Sequence, residues 1–140
     1  MSSTGIYLPG LAMVAITVVV WFRMYSTRIG QMKRERIHPQ SVATSAEAAA
    51  KLTDSRAADN FRNLFELPVL FYFALAVAAH TGMTGTTVVA LAWLFVVLRA
   101  WHSWIQCTYN KVMHRFKVYV AGGMVLWILW GVLAFGLLRG

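Results

Sequence analysis

The sequence predicts an all-α integral membrane protein, a bundle of four spanning helices. Of its 140 residues, 59% are hydrophobic and only 13% are charged, and the mean hydropathy is positive. Soluble domains carry about 25% charged residues, so this composition cannot cover an ordinary water-facing surface. Four apolar stretches, each near the ~20 residues that cross a bilayer core, divide the chain into spans and connectors.

The first span runs from about Ile6 to Tyr25 and is followed by no small-residue cleavage site, so it reads as a retained helix and not a signal peptide. The second covers about Phe61 to Ala79, the third Thr86 to about Cys107, and the fourth about Val118 to Leu138. Together they make residues 1–140 a single transmembrane domain. Between the second and third spans, HTGMTGTT (80–87) is short, uncharged and glycine-containing, which predicts a tight antiparallel hairpin. The first connector, residues 26–59, holds Arg28, Lys33, Arg34, Arg36, Lys51 and Arg56, and the third, YNKVMHRFK (109–117), is also basic. Loops rich in lysine and arginine stay in the cytoplasm, so both basic connectors belong there and both termini on the opposite side, with only Arg139 against the pattern. This topology and contact with anionic lipid headgroups account for much of the net charge of +8, and no nucleic-acid partner is needed. Alanine-rich Ser41 to Ala58 predicts a short helix beginning within Ser45 to Ala50. The compact chain reads as a bacterial inner-membrane protein.

Cysteine chemistry is limited to Cys107, which excludes an intrachain disulfide and a cysteine-based metal cluster. The four histidines, His38, His80, His102 and His114, show no i, i+4 pair, so no metal site is expected.

Polar residues inside the spans carry the functional signal, because a charged group facing hydrocarbon costs roughly 2.5 kcal/mol or more. At the mouth of the second span, NFRNLFELP (60–68) supplies Arg62, Asn63 and Glu66. Arg62 and Glu66 are four apart and would share one helix face as a pair. In the third span Arg99, His102, Ser103, Gln106 and Asn110 recur every three or four residues, a single polar stripe reaching about 16 Å along the axis at ~1.5 Å per residue. Near the fourth span Arg115 and Tyr119 fall on one face, while Lys117 reads as a snorkelling anchor. Gathered together, Arg62, Arg99, Arg115 and His102 would face one carboxylate, Glu66, with Asn63, Ser103, Gln106 and Tyr119 as hydrogen-bonding groups. Such a site needs an anionic guest and offers one acidic contact for an ammonium, which fits a small zwitterion with more than one carboxylate. Apolar walls would admit a lipophilic second substrate from the bilayer. The alternative is a polar knot that locks the helices together.

Arg62-Asn63-Leu64-Phe65-Glu66-Leu67-Pro68, the R-x-x-H of Arg99 and His102, and the R-x-x-x-Y of Arg115 and Tyr119, in that order, resemble the MAPEG family, membrane-associated proteins in eicosanoid and glutathione metabolism. The resemblance implies a homotrimer that binds glutathione between subunits near the cytoplasmic side. It assigns Arg62, Asn63, Glu66, Arg99, His102 and Tyr119 to glutathione and Arg115 to activation of its thiol. The implied activity is a glutathione-dependent transferase or peroxidase acting on hydrophobic electrophiles or lipid hydroperoxides. Gln106 stands where the family places a tyrosine, and Phe116 where the prostaglandin E synthase branch has a serine, so that branch's isomerase activity is not implied. The family also includes a non-catalytic lipid-binding member, so the second reading is a scaffold or accessory subunit of a larger membrane complex.

Overall fold

Four helices long and apolar enough to cross a membrane dominate the computed structural model, which describes residues 3–140. The first two residues of the expected 1–140 domain lie outside the described residues. A 3-10 turn at Ser3–Ile6 leads into α1, Tyr7–Arg34. This helix continues past its expected end at Tyr25, adding roughly 14 Å at ~1.5 Å per residue. Apolarity stops where the bilayer stops, but Ile29, Gln31, Met32, Lys33 and Arg34 still sustain helix, and Lys33 and Arg34 suit the negative end of its dipole.

The first connector is folded onto this extension. Arg36 takes φ 53°, a 3-10 turn covers Pro39–Val42, and α2 follows at Ser45–Lys51. A capping box starts α2: Glu47 N–H donates to Thr44 Oγ1 at 3.2 Å, and Thr44 N–H donates to the Glu47 carboxylate at 3.0 Å. Those bonds hold the Glu47 carboxyl below its usual range. Gln31, only 3% exposed, donates from Nε2 to Thr53 Oγ1 (3.0 Å), Glu35 Oε1 (3.1 Å) and the Lys51 carbonyl (3.3 Å). Arg56 grips Asp54 through Nε (2.9 Å) and Nη2 (3.0 Å) and donates to the Thr108 carbonyl, tying the connector to the third span. The Asp54 carboxyl is held below its usual range chiefly by that hydrogen-bonded arginine, so the link outlasts mild acid and is lost as pH falls through the lowered value.

The second span is broken, contrary to the single helix expected. It consists of α3, Arg56–Asn63, and α4, Leu67–His80. Pro68 supplies no N–H and disfavours helical backbone in the residue before it. The chain therefore closes α3 with tight bonds such as Phe65 N–H to the Arg62 carbonyl (3.0 Å), passes through Glu66 at φ −94° and ψ −104°, and restarts. The third span, α5, runs Thr86–Cys107. The fourth, α6, runs Val112–Arg139 and begins at Val112, not at the expected Val118. Asn110, a residue type tolerant of left-handed backbone, takes φ 46° and compresses the turn, leaving the rest of the basic connector free to be helical.

The expected tight α4/α5 hairpin is only partly realised. Gly82 turns the short connector at φ 71°, and Phe71 stacks on Phe95 at 4.6 Å, but α5 packs most extensively on α6. A Cβ at Gly122 would stand 3.8 Å from Leu98 Cβ, an ordinary contact distance, so this approach does not depend on that glycine. Met13, Phe71, Ala74, Ala92, Phe95, Leu126, Leu129 and Leu133 fill the centre, while Leu11, Val19, Phe22 and Phe135 face outward. An apolar exterior of this kind suits hydrocarbon.

Gln31→Leu should cost about 1–3 kcal/mol, because the partners of a buried amide are left unbonded. Thermal unfolding in detergent measures that loss, and limited proteolysis should accelerate within residues 36–55 while α5 and α6 stay protected. Unchanged cleavage would show that the Arg56 contacts hold the connector alone.

Candidate functional site

The site is built on a polar seam between α3 and α5. Asn60 is fully buried, accepts from Ser103 Oγ at 3.2 Å through Oδ1, and points Nδ2 at Cys107 Sγ, 3.5 Å away. One turn later Asn63 Nδ2 donates to Gln106 Oε1 at 3.2 Å. The pairs are spaced three residues apart on both helices, so they fix the rotation of α5 about its own axis. The sequence reading quoted Asn60 within its motif but gave it no role, since it precedes Phe61, the expected start of the second span. Its position three residues before Asn63 and beside a polar stripe was the available signal.

With α5 so oriented, its remaining polar residues face α6. Asn63, Glu66, His102, Arg115 and Tyr119, with Val112 and Phe116, surround a cavity of about 240 Å³ near the basic end of the bundle. His102 and Tyr119 also line a narrower crevice that runs deeper, past Arg99 to Leu67, Phe95, Gly122 and Gly123. Six of the seven sequence-predicted residues are thus gathered around two adjoining spaces. Arg99 is 4% exposed, and among the described residues its Nε and Nη2 have no hydrogen-bond partner, nor does His102 Nδ1. The Arg99 guanidinium carbon stands 6.0 Å from the centre of the Tyr119 ring, and the His102 and Tyr119 rings are 5.8 Å apart. Arg115, half-buried, donates from Nη1 to Asn110 Oδ1 at 2.6 Å, so the left-handed Asn110 fixes its direction. Glu66 is exposed at the rim, where the break before Pro68 leaves it.

Arg62 is the exception. Its side chain is 73% exposed, lies 3.9 Å from Asp59, and lines a separate polar cleft with Arg28, Ser55 and Asp54. The expected Arg62–Glu66 pair is not formed, because the helix breaks between them and the i, i+4 relation no longer applies. Ser103 and Gln106 are likewise committed to the seam. Among the described residues no group of three or more His, Cys, Asp and Glu side chains could hold a metal ion.

The order of these motifs along a four-span chain has a counterpart among known families, since the sequence model of the MAPEG family matches residues 6–135. The chain belongs to the MAPEG family. No curated protein and no solved structure matches it significantly. The match takes in every residue of this MAPEG chain that lines the site, from Asn63 to Gly123. The family includes glutathione-dependent transferases and peroxidases.

A buried guanidinium with open donors and no carboxylate partner is expensive in the empty protein, so replacing it by a similar apolar volume relieves that cost. Arg99→Met should leave the ligand-free protein as stable as the parent or more so, by up to about 4 kcal/mol. Asn60→Ala should instead cost about 1–3 kcal/mol by stranding Ser103 and opening the seam. Thermal unfolding in detergent distinguishes the two, and an Arg99→Met variant less stable than the parent would show that Arg99 supports the fold.

Proposed function

We propose that this protein is a membrane-bound glutathione-dependent transferase or peroxidase acting on hydrophobic electrophiles or lipid hydroperoxides. The observation that carries this reading is the buried Arg99, whose open Nε and Nη2 lie beside His102 and within the same polar region as Arg115. These groups demand an anion, and Glu66 at the rim offers a contact for an ammonium. Glutathione carries two carboxylates and one ammonium and matches that inventory. Arg99, His102, Asn63 and Tyr119 would hold the peptide, Glu66 would bind its amino group, and Arg115, kept in place by Asn110, would stabilise the thiolate. That thiolate would then form a carbon–sulfur bond as the electrophile's leaving group departs, or attack the terminal oxygen of a hydroperoxide, forming a glutathione sulfenic acid as the lipid alkoxide leaves and takes a proton. A second glutathione would then displace water from the sulfenic acid and give glutathione disulfide. Phe116 and Val112 give the cavity an apolar wall for the second substrate.

Family resemblance also supports a homotrimer, and the positive-inside pattern supports basic connectors on the cytoplasmic side of what reads as a bacterial inner membrane. Arg62 faces away from the pocket of its own chain and would serve only a neighbour's. The hydrogen bonds that commit Ser103 and Gln106 to structure favour a second reading, in which the polar set is a helix lock and the protein is a lipid-binding or accessory subunit.

Calorimetry on the detergent-purified protein should detect saturable glutathione binding that is weakened by Glu66→Ala. Arg115→Ala should keep binding within a few-fold but lower turnover of a hydrophobic aryl halide by about 10² or more, the loss typical of removing one charge-stabilising donor. Absence of binding at millimolar glutathione, in protein that is still a folded oligomer, would reject the transferase reading in favour of the accessory one.

A further inference from the structure

On the other side of α5 from the polar pocket lies a groove of about 540 Å³ between α1 and α5. Ala15 and Val19 on α1 and Ala100 and Trp104 on α5 form its walls, and its basic end is closed by Arg23 and Thr108. From Ala15 to Arg23, and equally from Ala100 to Thr108, the groove runs about 12 Å at ~1.5 Å per residue. That length matches the hydrocarbon depth of one leaflet, about half of ~30 Å. A spanning helix of a partner or of a second copy would need a contact face twice as long.

Aromatic residues mark the level of the charged end. Trp21 and Tyr25, 4.8 Å apart, flank Arg23 on α1, and Trp104 and Tyr109, 5.8 Å apart, flank Thr108, all four exposed. Paired tryptophan and tyrosine on the outside of a bundle sit at the headgroup layer. Arg23 is exposed there, and among the described residues it forms no ion pair. Asp54, whose carboxylate Arg23 only weakly helps to hold ionised, is already gripped by Arg56.

We propose that this groove holds one acyl chain of an anionic phospholipid, with the phosphate at Arg23. The site is separate from the polar pocket and does not depend on what that pocket binds. A slot one leaflet deep, apolar along its length and cationic only at its headgroup end, matches the shape and charge of a single lipid.

Native mass spectrometry tests this on the detergent-purified protein equilibrated with equimolar phosphatidylglycerol and phosphatidylcholine. The parent should retain phosphatidylglycerol about fivefold over phosphatidylcholine, the selectivity expected of one basic residue at a headgroup. Arg23→Gln, a change at an exposed position, should bring that ratio close to one. Ala100→Phe, which narrows the groove, should remove the retained lipid of either kind. Equal retention of both lipids by the parent would overturn the proposal, as would phosphatidylglycerol retention unchanged by Ala100→Phe. So would a parent that retains no lipid and whose Cys107 resists a maleimide in the folded state, the result expected if a neighbouring chain covers the groove.

Discussion

A polar side chain below the membrane surface has only other protein groups to bond, and the α3–α5 seam answers that constraint with two pairs, Asn60 with Ser103 and Asn63 with Gln106. Interhelical bonds of this kind average well under 2 kcal/mol each, so their weight is geometric as much as energetic. They choose which face of α5 meets α3. Once that face is set, the helical period turns Arg99 and His102 toward Tyr119 and away from lipid, and the pocket follows. Reversing the order of cause does not work, because among the described residues Nε and Nη2 of Arg99 have no hydrogen-bond partner to pull them into place.

The break before Pro68 is the second determinant. A continuous helix would have carried Arg62 and Glu66 on one face and let them neutralise each other. By ending α3 at Asn63 and restarting at Leu67, the chain separates them: Glu66 stays at the pocket rim and Arg62 turns to the cleft with Asp59. The carboxylate is thus left available to a guest. The same break exposes α3 as a short unit that must be held by something other than its own length, and the α5 seam and the Arg56 contacts to Asp54 and Thr108 hold it.

Legibility of the sequence divides along physical lines. The number of spans and the polar stripe of α5 were legible because hydrocarbon imposes apolarity on everything except an inward face. The ends of α1 and α6 were not, since hydropathy records where lipid stops and the helix continues on propensity alone through Gln31 and through Val112 to Lys117. The start of α2 was legible from alanine content, which placed it within Ser45 to Ala50, while the Thr44–Glu47 capping box that sets it is a local signal the sequence reading did not use. Arg62 misled because spacing was weighed without the proline six residues later. Asn60 was overlooked because it precedes Phe61, where apolarity begins, and so reads as connector, although it is the more deeply buried of the two asparagines in its motif.

α5 emerges as a partition. Arg99 and His102 open on the α6 side and Ala100 and Trp104 on the α1 side, with Ser103, bonded to Asn60, between them. A helix held in this way can shift only by disturbing the seam, so whatever occupies either side bears on the same wall. Burying Arg99 and leaving its donors open has a stability cost, and α5 tolerates it because the seam to α3, the stack of Phe95 on Phe71 of α4 and the packing against α6 hold the helix in place. A looser helix would rotate the guanidinium toward the headgroups and relieve the strain. Rigidity on both faces of α5 is therefore what keeps an uncompensated charge buried beside His102 and Tyr119.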